Sequence, residues 1–229
     1  MIPVWRHPQL DKLLASNLVS EPANPTWRSD YAPQLSYGRH AGPPRADARL
    51  AAVAIVLCWD GREWSLPLTV RSSNLRRHRG QISLPGGLVE DDELPLETAR
   101  RELSEELGQN LPLDWLGELD PLFVYASNAY VTPCIARVSG WPDWRPQQSE
   151  VDCVLRLRIR ELVEEVPPPP LVIERGPLQF AAPRFLVDGQ SVWGATAVLL
   201  AELRGRLQWV QEAATLAEDD SDSTHSPLA

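Results

Sequence analysis

The chain has 229 residues, of which 43% are hydrophobic, and a formal net charge of −9. That length suits one globular domain with appendages, and the acidic balance argues against general attraction to nucleic acid or anionic lipid. Its three cysteines, Cys58, Cys134 and Cys153, are widely spaced in apolar runs, which suits buried reduced thiols and argues against a disulfide framework or a zinc site.

In chain order, Pro8 to Asn17 reads as a short amphipathic helix, and residues 21–48, rich in proline and polar groups, as a wrapping arm or linker. Residues 1–48 are therefore set apart from the domain proper. Leu50 to Trp59, the turn Asp60-Gly61, and Trp64 to Val70 read as a β-hairpin. Its first strand is the longest apolar segment and is far too short to span a bilayer. No signal peptide is visible at the amino terminus, so a cytoplasmic protein is expected by elimination.

Arg71, Arg76, Arg77, His78 and Arg79 make the most basic short stretch of the chain. Guanidinium groups grip phosphate oxygens in a planar, two-pronged way; the alternative is a solvated loop balancing the acids that follow. The stretch is too short to suggest nucleic-acid binding. Pro85-Gly86-Gly87 comes next, where the glycines offer a tight turn and an open approach for a ligand.

Pro95 to Leu107 reads as a helix closed by Gly108. Leu96, Ala99, Leu103 and Leu107 form a narrow apolar stripe for docking on a sheet. Glu102, Glu105 and Glu106 crowd the last two turns, where the negative end of the helix dipole disfavours carboxylates by roughly 0.3–1 kcal/mol each. A broken local rule of this kind points to a functional site, and carboxylate oxygens are the ligands that hard divalent cations prefer. The competing reading is a solvated acidic face. Arg101, four residues before Glu105, is placed to pair with it or with Glu93.

Farther on, Leu122 to Tyr125 and Val131 to Val138 read as paired strands and Val151 to Ile159 as another, with Glu150 just ahead of it. Pro167 to Pro170 is a polyproline break, Leu178 to Val187 is β-like, and Trp193 to Val210 reads as the second substantial helix. Residues 211–229 carry Glu212, Glu218, Asp219, Asp220 and Asp222 without an arginine or lysine, which reads as a disordered acidic tail.

Gly87, five residues, Glu93, seven residues, then Arg101-Glu102-Leu103-Ser104-Glu105-Glu106-Leu107-Gly108 resembles the Nudix box of the Nudix hydrolases, with Gln109 in place of the last aliphatic residue. The segment Leu68 to Gly87 resembles the additional signature of the coenzyme A pyrophosphatase branch. Arg76, Gly80 and Pro85-Gly86-Gly87 stand at the required intervals, while Pro67 and Leu84 depart from it. The likeness runs from about Arg49 to Val210 and implies an α/β protein, an α/β/α sandwich around a mixed sheet over residues 49–210. It further implies Mg2+ or Mn2+ held by Glu102, Glu105 and Glu106, with Glu93, Arg101 and Gly108 in structural roles. Arg71, Arg76, Gly86 and Gly87 are expected around the substrate, and the general base among Glu105, Glu106 and Glu150. The implied reaction is hydrolysis of coenzyme A or its thioesters to 3′,5′-ADP and 4′-phosphopantetheine or its acyl form. ADP-ribose or NADH are alternative substrates, and a binding module without catalysis is the alternative class. A small-molecule substrate, no nucleic acid, no membrane and an oligomer as an option complete the expectation.

Overall fold

The computed structural model describes residues 2–33, 46–74, 79–108 and 110–223. After a 3-10 turn at Val4–Arg6 come α1 (Leu10–Ser20), α2 (Pro25–Ser29), β1 (Arg49–Trp59), β2 (Trp64–Arg71), β3 (Ile82–Ser83), β4 (Gly86–Leu88) and α3 (Pro95–Leu107). There follow β5 (Asp114–Glu118), β6 (Leu122–Val124), β7 (Ala129–Ser139), β8 (Val151–Arg158) and α4 (Ile159–Glu164). Two hairpins, β9 (Leu171–Arg175) with β10 (Leu178–Ala182) and β11 (Arg184–Val187) with β12 (Gln190–Trp193), lead into α5 (Ala195–Ser223).

Strands β1 to β8 form one mixed sheet. β1 runs parallel to β7 from Arg49, opposite Ala129, to Trp59, opposite Ser139. Against β2 it pairs only beside the turn, Cys58 with Ser65 and Trp59 with Trp64. The expected hairpin therefore splays apart. β4 pairs with the other end of β1 at Ala51, Ala52 and Val53, β3 joins the far end of β2, and β8 runs along β2. This splay brings Gly86 and Gly87 into the sheet beside the end of β2.

Alternation along β1 sends Ile55 and Leu57 to one face and Ala52, Ala54, Val56 and Cys58 to the other. On the second face α3 docks through Ala99, Leu103 and Leu107, and the small Ala52 and Ala54 let the helix lie close. The first face is covered by α1 and α5 through Leu10, Leu14, Leu203 and Leu207. The architecture is the expected α/β/α sandwich.

The amino-terminal segment is part of this packing. Val4, Trp5 and Tyr31 are buried; the Val4 N–H donates to Gln211 Oε1, Trp5 Nε1 to Glu164 Oε1 at 2.8 Å, and Trp64 Nε1 to the His7 carbonyl at 2.8 Å. Trp27 of α2 lies against Gly205 of α5, where any Cβ would run into the indole. That contact explains a glycine in a helix interior, which otherwise costs about 1 kcal/mol. Beside it, fully buried Glu202 sits between Arg28 and Arg206, and Arg206 also donates to Asn17 Oδ1 at 3.0 Å.

Several expectations need correction. Gly86 and Gly87 belong to a strand rather than a turn. The β-like run at 178–187 is split at Pro183, which has no N–H for a ladder, between two separate hairpins. β5 escaped notice because it is short and irregular, with a register shift between Trp115 and Gly117. α5 continues past Val210 to Ser223, carried by strong helix formers such as Gln211, Glu212, Ala213 and Ala214. The segment expected as a disordered tail is thus helical up to that point. Cys58 and Cys134 are buried, but Cys153 is exposed on edge-ward β8. Among the described residues no helix is long and apolar enough to cross a membrane.

Candidate active site

The site is assembled where β4, the end of β2 and the carboxyl half of α3 meet. Gly87 faces α3 so closely that a Cβ would collide with the Glu102 carboxylate, while at Gly86 it would strike the backbone of Ala52 and Val53. Sterics alone thus account for the paired glycines: one lets β4 lie on β1, the other lets Glu102 approach the backbone. The helix begins with Pro95 in its first turn, and Glu97 reaches back to the Leu94 N–H at 2.8 Å. It ends at Gly108, whose φ of 65° is left-handed. The Gly108 N–H donates to the Ser104 carbonyl at 2.9 Å, and a Cβ there would meet the Arg145 carbonyl.

Arg101 organises the outer half of the acidic cluster. Its Nε and Nη2 hold the two Glu93 oxygens at 2.8 and 3.1 Å, and Nη2 also donates to the Leu88 carbonyl at 3.0 Å. Nη1 lies 3.0 Å from Glu102 Oε1 and 3.2 Å from Glu105 Oε2. Glu93 further accepts from Thr98 Oγ1 at 2.8 Å, and these donors, Arg101 first, hold its carboxyl down at about 2. Arg101 thereby ties the loop before the helix to the helix itself. Thr98, buried at a helical position, gave no sign in the sequence; only the fold brings it to Glu93.

Glu106 is different. Only 2% of it is exposed, and its Oε2 is buried with no hydrogen-bond partner among the described residues. Arg71 Nη1 stands 4.0 Å from Oε1, at the outer limit of an ion pair, and the Gly86 N–H donates to the carboxylate. Burial pushes the Glu106 carboxyl up to about 8, opposed by Arg71 and reinforced by the negative charges of Glu102 and Glu150. Glu102 is also raised, first by burial and then, against Arg101, by Glu105 and Glu150. Glu150 is therefore brought into the same electrostatic neighbourhood from a distant part of the chain. Its carbonyl accepts from the Ser72 N–H at 2.7 Å, which fastens the head of β8 to the end of β2.

Arg71 sits at that end of β2, beside an irregularity in the β2–β8 register. Its backbone bonds with Gln81 and Gly80, both at 3.0 Å, close the loop, and its Nε is buried without a partner among the described residues. Arg76, with Arg77 and His78, lies outside the described residues, as does Gln109.

The predicted trio is brought to one helix end, but not as a ready ligand set. Among the described residues no three His, Cys, Asp or Glu side chains converge closely enough to hold a metal ion. Arg101 occupies one oxygen each of Glu102 and Glu105, and Glu105 remains 58% exposed. The donor chemistry nevertheless fits Mg2+ or Mn2+: the candidates are all carboxylate oxygens, and Glu106 carries an unpartnered buried oxygen beside two further carboxylates.

The model of the NUDIX domain matches residues 48–169. Mouse mitochondrial coenzyme A diphosphatase NUDT8 is 34% identical over 161 residues, covering 68% of this chain and 76% of the relative. The Nudix hydrolase NudL of Pectobacterium atrosepticum is 33% identical over 143 residues, covering 61% and 73%. Nudix hydrolase 3 of Caenorhabditis elegans is 28% identical over 187 residues, covering 73% and 77%.

Proposed function

The chain belongs to the NUDIX domain family and is a Nudix hydrolase, and from that premise we propose that it cleaves the diphosphate of coenzyme A or its thioesters. The products are 3′,5′-ADP and 4′-phosphopantetheine or its acyl form. The observation that carries this reading is Glu106: a buried carboxylate with an orphan oxygen, gathered with Glu102 and Glu150 beside Arg71. The substrate assignment is supported by the signature Leu68 to Gly87 and by the activity named for the mouse relative. Leu84, which departs from the signature, is buried in the core, so its change falls on packing rather than on groups that meet a ligand.

In this reading Glu102, Glu105 and Glu106 hold Mg2+ or Mn2+, with the Nη1 of Arg101 withdrawing from the first two while its Nε and Nη2 keep Glu93. Bound there, the cation supplies Lewis acidity, neutralising charge that develops on the phosphate oxygens and acidifying water. Gly86 and Gly87 leave the β4 backbone open to the diphosphate, and Arg71 and Arg76 offer guanidinium donors to its oxygens. Glu150, exposed at the head of β8, accepts the proton of the attacking water. The free thiols of Cys58, Cys134 and Cys153 suit a reducing, cytoplasmic setting.

The test is a product assay with Mg2+ or Mn2+ on coenzyme A, ADP-ribose and NADH. Preferential appearance of 3′,5′-ADP supports the proposal. Turnover of ADP-ribose or NADH alone moves the substrate, and inactivity on all three favours a binding module.

A further inference from the structure

β8 carries one residue more than β2 can match. From Ser65 opposite Arg158 to Val70 opposite Cys153 the two strands step together, but Arg71 then lies opposite Val151. Asp152 is the unmatched residue, so the ladder is bulged there. Bulges recur beside active sites, where they re-aim a strand. In an unbroken register Glu150 would fall opposite Ser73. The extra residue draws it back to Ser72, one strand step or about 3.3 Å nearer to Arg71. There the Ser72 N–H donates to the Glu150 carbonyl at 2.7 Å.

The step matters because Glu150 has to reach the carboxylates of α3. Its charge acts on both Glu102 and Glu106, and Arg71 stands 4.0 Å from Glu106. The head of β8 is held there by a chain of bonds that starts on Glu106 itself. The Glu106 carbonyl accepts from the Gln147 N–H, and the Gln147 carbonyl from the N–H groups of Glu150 and Val151, all at 2.9 Å. These donors and acceptors are backbone. Asp152 adds the side-chain link: its Oδ2 accepts from the Ser73 N–H at 3.0 Å. That bond crosses the strands at the bulge and so resists a slide back into the unbroken register. Asp152 is exposed, so its replacement leaves the core untouched.

Resting on the role given above to Glu150 as acceptor of the water's proton, we infer that Asp152 is a positioning residue. By pinning the bulge it keeps Glu150 within reach of the α3 carboxylates. It acts through its oxygen as a hydrogen-bond acceptor, not through its charge, and it acts on the reaction only through Glu150.

The test uses the whole chain with Mg2+ or Mn2+, on whichever of coenzyme A, ADP-ribose and NADH it turns over fastest. The substrate assignment and this inference therefore fail separately. Asp152→Ala lowers kcat about tenfold, the effect of slightly misplacing a catalytic group. KM stays within about twofold, and the melting temperature falls by no more than about 4 °C. Asp152→Asn keeps an oxygen in the same place and restores kcat. In metal-free protein the Ser73 amide exchanges its hydrogen faster in Asp152→Ala and at the wild-type rate in Asp152→Asn. Glu150→Gln lowers kcat by itself, and adding Asp152→Ala to it costs nothing further. An unchanged kcat in Asp152→Ala, an Asn variant as slow as the Ala variant, or additive losses in the double variant each overturn the inference. Full activity in Glu150→Gln removes the proposed base and this inference with it.

Discussion

Two glutamates are almost equally hidden from solvent, Glu202 at 0% exposure and Glu106 at 2%, yet they live in opposite surroundings. Glu202, on α5, is clasped by Arg28 and Arg206, and the second arginine is tied on to Asn17. Glu106, on α3, has one distant arginine, one backbone donor, two neighbouring carboxylates and an unpartnered oxygen. A buried charge with its own counter-ions holds parts of a fold together. On the proposed function, a buried carboxylate short of them awaits a cation from outside, at the expense of the metal-free protein's stability.

Substitutions at the two sites should break the symmetry in opposite directions. The largest expected effect is on turnover: Glu106→Gln lowers hydrolysis on the order of 10³-fold while the urea midpoint holds or rises. A stable variant with near-normal rates would remove Glu106 from the chemistry. Next, Glu202→Ala leaves buried Arg206 and half-buried Arg28 without their carboxylate partner and costs about 3–5 kcal/mol in urea unfolding, while activity per folded molecule stays unchanged.

A pH series sharpens the contrast. With its folded pKa raised to about 8 from the ordinary 4.5, Glu106 binds its proton more tightly in the folded chain than in the unfolded one. Its contribution is complete below about pH 4.5, declines as pH climbs towards about 8 and is gone above that. Metal-free protein should therefore lose stability across that window in urea titrations, and Glu106→Gln should remove that part of the slope. The smallest effect expected is at the end of α3. Gly108→Ala costs about 1–2 kcal/mol because a left-handed residue gains a Cβ, read as a lower melting temperature.

Much of the site was legible because its residues are close in sequence. Spacing from Gly87 to Gly108 fixes a helix, its cap and its misplaced acids, and the pairing of Arg101 with Glu105 follows from helical geometry, while Glu93 reaches Arg101 from the loop before the helix. The splay of β1 from β2 was not legible, since it depends on β4 and on a parallel partner some 80 residues away. The same holds for Thr98 against Glu93, which nothing local marks, whereas Glu150 was singled out through the family resemblance and its approach to Glu106 only through the fold. Glu202 was invisible for a related reason, because a charge in an apolar helix reads as ordinary until Arg28 is found opposite.

The docking of the first residues on α5 has a consequence for synthesis. Val4, Trp5, Leu10 and Leu14 emerge from the ribosome long before Leu203, Leu207 and Gln211 exist to receive them. Until α5 has been made, the side of α1 and of the residues before it that packs on that helix is left uncovered.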